Sequence, residues 1–419
     1  MAHEILKLAA VENVNSFSYS FISPDGSKIF AVLSTLITAP DQPTIAGILY
    51  KYDNEKLTVI KKINVPRKFP FSPSGAVSDD FTRLTLIFKD GKNKLLVNIY
   101  DMSNLDKPIR SFEVDGVYGK ALSANGGTFS PDNRFIGITY PTTSGKNARN
   151  VLLIYDIKED KIVKKADING FSDGPVFFNI CNGNNKRLYA VLGATRVNFK
   201  EDSDNILEPP KITFNPPSYV QIFEISRNFV TLVENIEAQN MTRIVAVSKY
   251  FDSPKVLIGV TFLVNSNNSG YEMCANKPSD SKVSPFIDNN DNIKGFESTN
   301  AGFKIYKFNG DRSKLVANYH SKYSFSGIGF SPNGKFLAVG QGSVPGSPDT
   351  LLIFKLGRYH DQQSNEIRLK LVDSPRSIPP TSLSIRFSNN GKYLLATGNP
   401  ATNNNVNNIQ LYKVIKQSE

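Results

Sequence analysis

The chain has 419 residues, of which 40% are hydrophobic and 21% charged, and its formal net charge is +11. That balance supplies apolar surface for a large core and excludes a globally disordered chain. Two cysteines exclude a disulfide scaffold, and no apolar run approaches the roughly 18 residues a membrane helix needs.

The opening MAHEILKLAAVENVNS lacks the basic segment and apolar stretch of a secretion signal. With so few cysteines, a cytoplasmic or other intracellular, reducing compartment is expected. The sequons at Asn240 and Asn267 then read as chance triplets in an Asn-rich chain. The basic residues are scattered, without a run that would mark a basic tail. Such a charge suits an acidic partner, nucleic acid or a membrane surface, and equally a solubility feature.

In chain order, HEILKLAAV at 3–11 reads as a strand with no partner of its own. Next, SYSFISPDGSKIFAVL at 18–33 reads as two apolar strands around a polar turn. The hairpin returns as AVSDDFTRLTLIF at 76–88, GGTFSPDNRFIGIT at 126–139 and VFFNICNGNNKRLYAVLG at 176–193. It recurs as VAVSKYFDSPKVLIGV at 245–260, GIGFSPNGKFLAVG at 327–340 and SIRFSNNGKYLLATG at 384–398. The turns start near Ser23, Ser78, Ser130, Cys181, Lys249, Ser331 and Ser388. Pro presets φ, and Gly or Asn accepts a positive φ, which is hairpin chemistry.

After each hairpin comes an apolar-aromatic tetrapeptide closing a third strand. The seven are LYKY (49–52), IYDM (99–102), IYDI (154–157), IFEI (222–225), IYKF (305–308), IFKL (353–356) and LYKV (411–414). A polar turn and a fourth strand usually follow, as in KLTVIKKINV at 56–65. Each unit therefore holds strands a, b, c and d, counted from the axis outward.

Seven such units with a period near 50 residues predict an all-β, seven-bladed propeller of four-stranded antiparallel blades. A β-solenoid is the structural alternative, but its coils are shorter. The expected blades span about 14–65, 70–115, 120–168, 170–236, 240–318, 322–373 and 380–416 in one domain covering 1–419. The last has three strands of its own, so residues 3–11 are expected to complete it and remove two exposed edges.

These repeats resemble the WD40-like superfamily, particularly its variant with an SPDG or PDG turn. Tyr100-Asp101 and Tyr155-Asp156 stand where WD40 repeats place Trp-Asp. The Gly-His dipeptide of true WD40 repeats is missing, and with it the buried His–Asp network that it supports. What the resemblance implies is the fold; propellers host enzymes, lectins and scaffolds alike.

The b–c connections are expected to be long and the a–b and c–d turns short, so the large insertions share one face. Loops on a rigid scaffold commonly carry binding. Partner contacts are expected there from Lys92, Lys94, Lys146, Arg149, Arg196 and Lys200, with Phe199, Tyr271 and Phe286 as apolar anchors. Acidic Glu201, Asp202, Asp204 and Glu208 among them argue against a pure phosphate-binding surface. The Pro pairs near 209–210 and 216–217 favour stiff, projecting segments.

His3, His320 and His360 lack ligand spacing, and no H-E-x-x-H, Walker or G-x-S-x-G motif is present, so no metal, cofactor or catalytic residue is expected. Inner-strand starts, at the mouth of the channel, are mostly Ser and Thr, with Asp173 and Arg243 as charged channel candidates. The function expected is a non-enzymatic protein-interaction scaffold or assembly component. One alternative is a lactonase-like or hydrolase enzyme using the channel. A second is a binder of nucleic acid or an acidic surface.

Overall fold

The computed structural model describes residues 3–11, 17–33, 45–66, 71–89, 94–117, 125–142, 150–172, 174–182, 185–200, 211–214, 217–238, 241–248, 255–263, 301–321, 325–341, 350–358, 367–373, 381–399 and 409–416. They form a seven-bladed β-propeller of four-stranded antiparallel sheets, with no helix among the described residues. Blade one holds Phe17–Ile22, Lys28–Leu33, Ile45–Asp53 and Lys56–Asn64 as strands a to d. Blade two holds Phe71–Val77, Arg83–Lys89, Lys94–Asp101 and Arg110–Asp115. Blade three holds Asn125–Phe129, Phe135–Pro141, Asn150–Asp156 and Lys161–Ile168. Blade four holds Val176–Asn182, Asn185–Ala194, Ser218–Ile225 and Val230–Ala238. Blade five holds Met241–Val247, Val256–Leu263, Ala301–Phe308 and Ser313–Ser321. Blade six holds Phe325–Phe330, Phe336–Gln341, Thr350–Arg358 and Ile367–Asp373. Blade seven holds Thr381–Phe387, Tyr393–Asn399 and Ile409–Lys416, and His3–Val11 pairs antiparallel outside the last of these. Seven separate sheets exclude the solenoid.

The a strands of neighbouring blades touch all the way round, blade seven against blade one included. Between successive blades lie seven buried clusters, and the tetrapeptide explains them. Adjacent residues on a strand face opposite sides of the sheet. The aliphatic first residue therefore packs toward the following blade and the aromatic second residue toward the preceding one. Leu49 and Tyr100 share a cluster, as do Ile99 and Tyr155, Ile154 and Phe223, and Ile222 and Tyr306. Ile305 with Phe354, Ile353 with Tyr412, and Leu411 with Tyr50 fill the remaining three.

Five a–b turns are built alike. In the first, the Ser23 hydroxyl donates to Asp25 (2.6 Å) and accepts from the Lys28 amide (2.9 Å). Its carbonyl accepts from the Gly26 amide, and Gly26 has φ +82°. The same bonds recur from Ser78, Ser130, Ser331 and Ser388, with Phe81, Asn133, Gly334 and Gly391 at positive φ. A buried serine thus satisfies the polar groups of a turn pressed against its neighbours. In blade five the serine at this point is Ser248, fully buried, whose amide bonds the Leu257 carbonyl but whose hydroxyl has no partner among the described residues; Lys249, expected near the turn's start, lies outside them.

Two c–d connections are longer than expected. Eight residues separate Asp101 from Arg110, and eight separate Arg358 from Ile367. In blade two the extra length is used for packing: Met102 and Leu105 are buried in the cluster between blades one and two.

Candidate functional site

An antiparallel sheet ordered a-b-c-d has its a–b and c–d turns at one end and its b–c and d–a connections at the other. At the a–b/c–d end the connections run from two residues (Asp53 to Lys56) to eight. At the other end, 37 residues separate Leu263 from Ala301, 23 separate Ala194 from Ser218, and 11 separate Leu33 from Ile45. Blade two is the short case, with four residues between Lys89 and Lys94.

The blade-four connection carries a hairpin that the proline-based reading of a stiff segment did not foresee. Val197–Lys200 pairs with Lys211–Phe214, from Val197 opposite Phe214 to Lys200 opposite Lys211. The signal was present: VNFK and KITF each alternate apolar and polar residues. The hairpin therefore holds Phe199 and Lys200 on paired strands, opposite Ile212 and Lys211. Its root is fixed by the neighbouring blade. Phe171 and Thr195 exchange backbone hydrogen bonds of 2.7 and 2.8 Å. Gly170 (φ +148°) permits this approach, since a Cβ there would lie 2.5 Å from the Thr195 carbonyl. Arg196, exposed, follows directly.

Lys94 begins the c strand of blade two, with its Nζ 3.2 Å from Glu113 and 3.3 Å from Asp115. Hydrogen bonds to these two carboxylates raise its pKa, so an acidic partner at Lys94 must compete with them. Lys92, Lys146, Arg149, Tyr271 and Phe286 lie outside the described residues. Of the candidates, the described residues hold Lys94 on the c strand of blade two and Arg196, Phe199 and Lys200 together in the blade-four connection.

Of the small hydroxyls expected to line the channel mouth, Thr242 and Ser384 are used inside the ring, while the buried Ser74 hydroxyl has no hydrogen-bond partner among the described residues. Ser74, Thr242 and Ser384 are only 4%, 4% and 6% exposed. Thr242 donates to the Tyr219 carbonyl (3.2 Å), and Thr195 donates to the Thr242 carbonyl. Ser384 donates to the Ser20 carbonyl of blade one (3.2 Å), and Thr128 to the Pro175 carbonyl of blade four (2.6 Å). These bonds satisfy carbonyls at blade junctions, where water does not reach. Asp173 lies outside the described residues. Arg243 lies on the a strand of blade five, beside Thr242, and its side chain is outside the described residues. Among the described residues no group of three His, Cys, Asp or Glu is placed to hold a metal ion.

The aromatic-acid pairs do structural work within their blades. Asp156 is fully buried and takes two hydrogen bonds from Arg134, at 2.9 and 2.6 Å. Burial pushes its pKa up, but Arg134 and the amides of Glu159 and Lys158 outweigh burial and hold the carboxyl below its ordinary value. Arg83 meets Asp101 at 2.7 Å in the same way.

The chain has the fold of WD40 propellers. Among solved structures, the RRP9 WD40 repeats match with a TM-score of 0.53 at 11% identity, covering 99% of this chain and 98% of that one. The Myceliophteria thermophila Cps50 (Swd1) β-propeller domain matches with a TM-score of 0.53 at 10% identity, covering 98% and 100%. Kuenenia stuttgartiensis hydrazine synthase matches with a TM-score of 0.55 at 15% identity, covering 97% of each chain. At such identities the likeness is one of fold. No family model and no curated protein sequence matches the chain. No helix among the described residues is long and apolar enough to cross a membrane.

Proposed function

We propose that this chain is a non-enzymatic interaction scaffold, or assembly component, that binds a protein partner through the b–c end of blades two to five. One observation carries the reading: the connections at that end reach 37 residues, whereas those at the opposite end stop at eight. Rigid blades with long connections at one end present adaptable contact surface on a fixed frame. The WD40 fold supports the same reading, since four-stranded blades offer a platform that needs no chemistry of its own. The contacts fall to Arg196, Phe199 and Lys200 in the blade-four connection, and to Lys92, Lys94, Lys146, Arg149, Tyr271 and Phe286 in or beside the other b–c connections. A reducing, intracellular setting fits a chain with two cysteines, of which Cys181 is free and exposed.

The test replaces 264–300 by a short Gly-Ser linker and compares captured partners with those of the full chain. The expected result is an unchanged circular-dichroism spectrum and thermal midpoint with loss of specific partners. Identical partners from both proteins would refute the assignment of binding to this end.

A further inference from the structure

The opposite end of the ring carries the shorter connections, and among the described residues its charge is divided by blade. The third residue of each tetrapeptide decides the division. It is Asp101, Asp156 and Glu224 in blades two, three and four. Each of these carboxylates has an arginine of its own blade within ion-pair distance: Arg83 at 2.7 Å, Arg134 at 2.6 Å and Arg187 at 3.9 Å. In blades five, six, seven and one, consecutive around the ring, the same position is lysine: Lys307, Lys355, Lys413 and Lys51.

A second lysine accompanies three of them on the adjoining b strand or its turn. Lys28 stands directly opposite Lys51 in the sheet register. Lys335 and Lys392 end the a–b turns of blades six and seven, one residue before the partners of Lys355 and Lys413. All six of these lysines are exposed. Lys51 meets Asp53 at 3.0 Å; the other five make no ion pair among the described residues. The turns add to the contrast. Blades one to three have Asp25, Asp80 and Asp132 at the acceptor position, whereas blades six and seven have Asn333 and Asn390. The a–b turns and the adjoining ends of the b and c strands in blades six and seven hold no described carboxylate. Glu4 stands in the outer strand of blade seven, opposite Ile415.

Like charges on adjacent strands repel one another. In blades two to four the chain removes that repulsion with its own carboxylates, and in blades six and seven it does not; in blade one Asp53 meets Lys51 alone, and Lys28 beside it has no ion pair among the described residues. An anion of limited width, laid over this arc, would supply the missing countercharge. A planar lipid surface would also be pressed against Asp80, Asp106 and Asp132 on the other half of the same end. A nucleic-acid duplex is a straight rod, while the lysines follow an arc. In blades two to four the arginine forks suited to phosphate, Arg83, Arg134 and Arg187, already lie beside carboxylates. A flexible run of Asp and Glu follows the arc and stops where the acidic blades begin.

We infer that the a–b/c–d end of blades six, seven and one is a second docking surface, taking an acidic segment of a partner protein. It is separate from the b–c end, so the scaffold engages two partners on opposite sides of the ring.

The test measures fluorescence anisotropy of a labelled poly-glutamate peptide against the whole chain. Binding at low ionic strength that weakens with salt is expected. Lys392→Glu with Lys413→Glu, and separately Lys335→Glu with Lys355→Glu, should weaken it about tenfold or more. Lys161→Glu with Lys164→Glu, exposed on the outer strand of blade three, makes the same charge change elsewhere and should have little effect. All variants should keep the parent thermal midpoint. Shortening 264–300 should leave peptide binding in place, so this surface and the b–c end fail independently. Absence of peptide binding, equal weakening by the blade-three pair, or tighter capture of single-stranded RNA or phosphatidylserine vesicles through the same lysines would overturn the inference.

Discussion

Tyr50 of the first blade and Leu411 of the last lie in one buried cluster, with 2% and 0% of their surfaces exposed. The same aliphatic–aromatic pairing fills the other six junctions, so the closing junction is built like the rest. Leu411→Ala is expected to cost about 2–5 kcal/mol, and Tyr50→Ala a cost near the upper part of that range, because the ring cannot collapse around the hole. Chemical denaturation of each variant against the parent checks this. A loss below about 1 kcal/mol from both would mean that the junction is not packed as described.

The strand His3–Val11 covers the edge of Ile409–Lys416. Removing residues 1–12 exposes that edge, and uncovered edges recruit other chains. The expected outcome is a lower thermal midpoint and concentration-dependent aggregation, read by light scattering. An unchanged midpoint and a monodisperse protein would show that the strand does not complete the last blade in solution.

Gly26 combines φ +82° with the ring of Tyr393 so close that an added Cβ would lie 2.2 Å from its Cδ2. Gly26→Ala is expected to destabilise by more than about 1 kcal/mol, since both backbone and ring must shift. Asn390 donates to the Asp25 carbonyl across the same junction (3.2 Å), so the variant should also loosen blade seven from blade one. Hydrogen exchange at the Tyr393 amide would report that loosening; unchanged protection would count against it.

Asp156 ties acid stability to blade three. Its carboxyl is held below the ordinary value, so the folded state binds the proton less readily than the unfolded chain. The stabilisation is present above the unfolded value of about 4 and is lost as pH falls through the folded value. Asp25, lowered by the Ser23 hydroxyl and the Ser27 amide, acts with the same sign. Stability measured from neutral pH downward should therefore decline on the acid side, and less steeply in Asp156→Asn. Arg134→Met, which leaves the buried carboxylate unpaired, should cost about 3–5 kcal/mol near neutral pH. Equal slopes in Asp156→Asn and the parent would remove Asp156 from the acid limb.

Much of this molecule was legible in local patterns. Ser-Pro-Asp-Gly at Ser23 and its relatives announces a turn because its bonds close within six residues. The alternation in LYKY or IYDI announces a strand buried on both sides, because neighbouring side chains face opposite ways. Seven repetitions then implied a ring. The degenerate turn of blade five, read as starting near Lys249, follows Ser248, whose amide bonds the Leu257 carbonyl. The hairpin from Val197 to Phe214 went unread because its strands are four residues long.

What the amino-acid order determined alone was the number of blades, the strands in each and the unequal lengths of their connections, all properties of contiguous residues. Tertiary structure decided which serines and threonines bridge blades, which arginines meet a carboxylate, and which lysines gather on one arc. Lys28 and Lys413 are far apart in the chain and in adjacent blades of the fold. Hydrogen bonds and charge interactions depend on separation in space, which a closed ring sets only when its last blade meets its first.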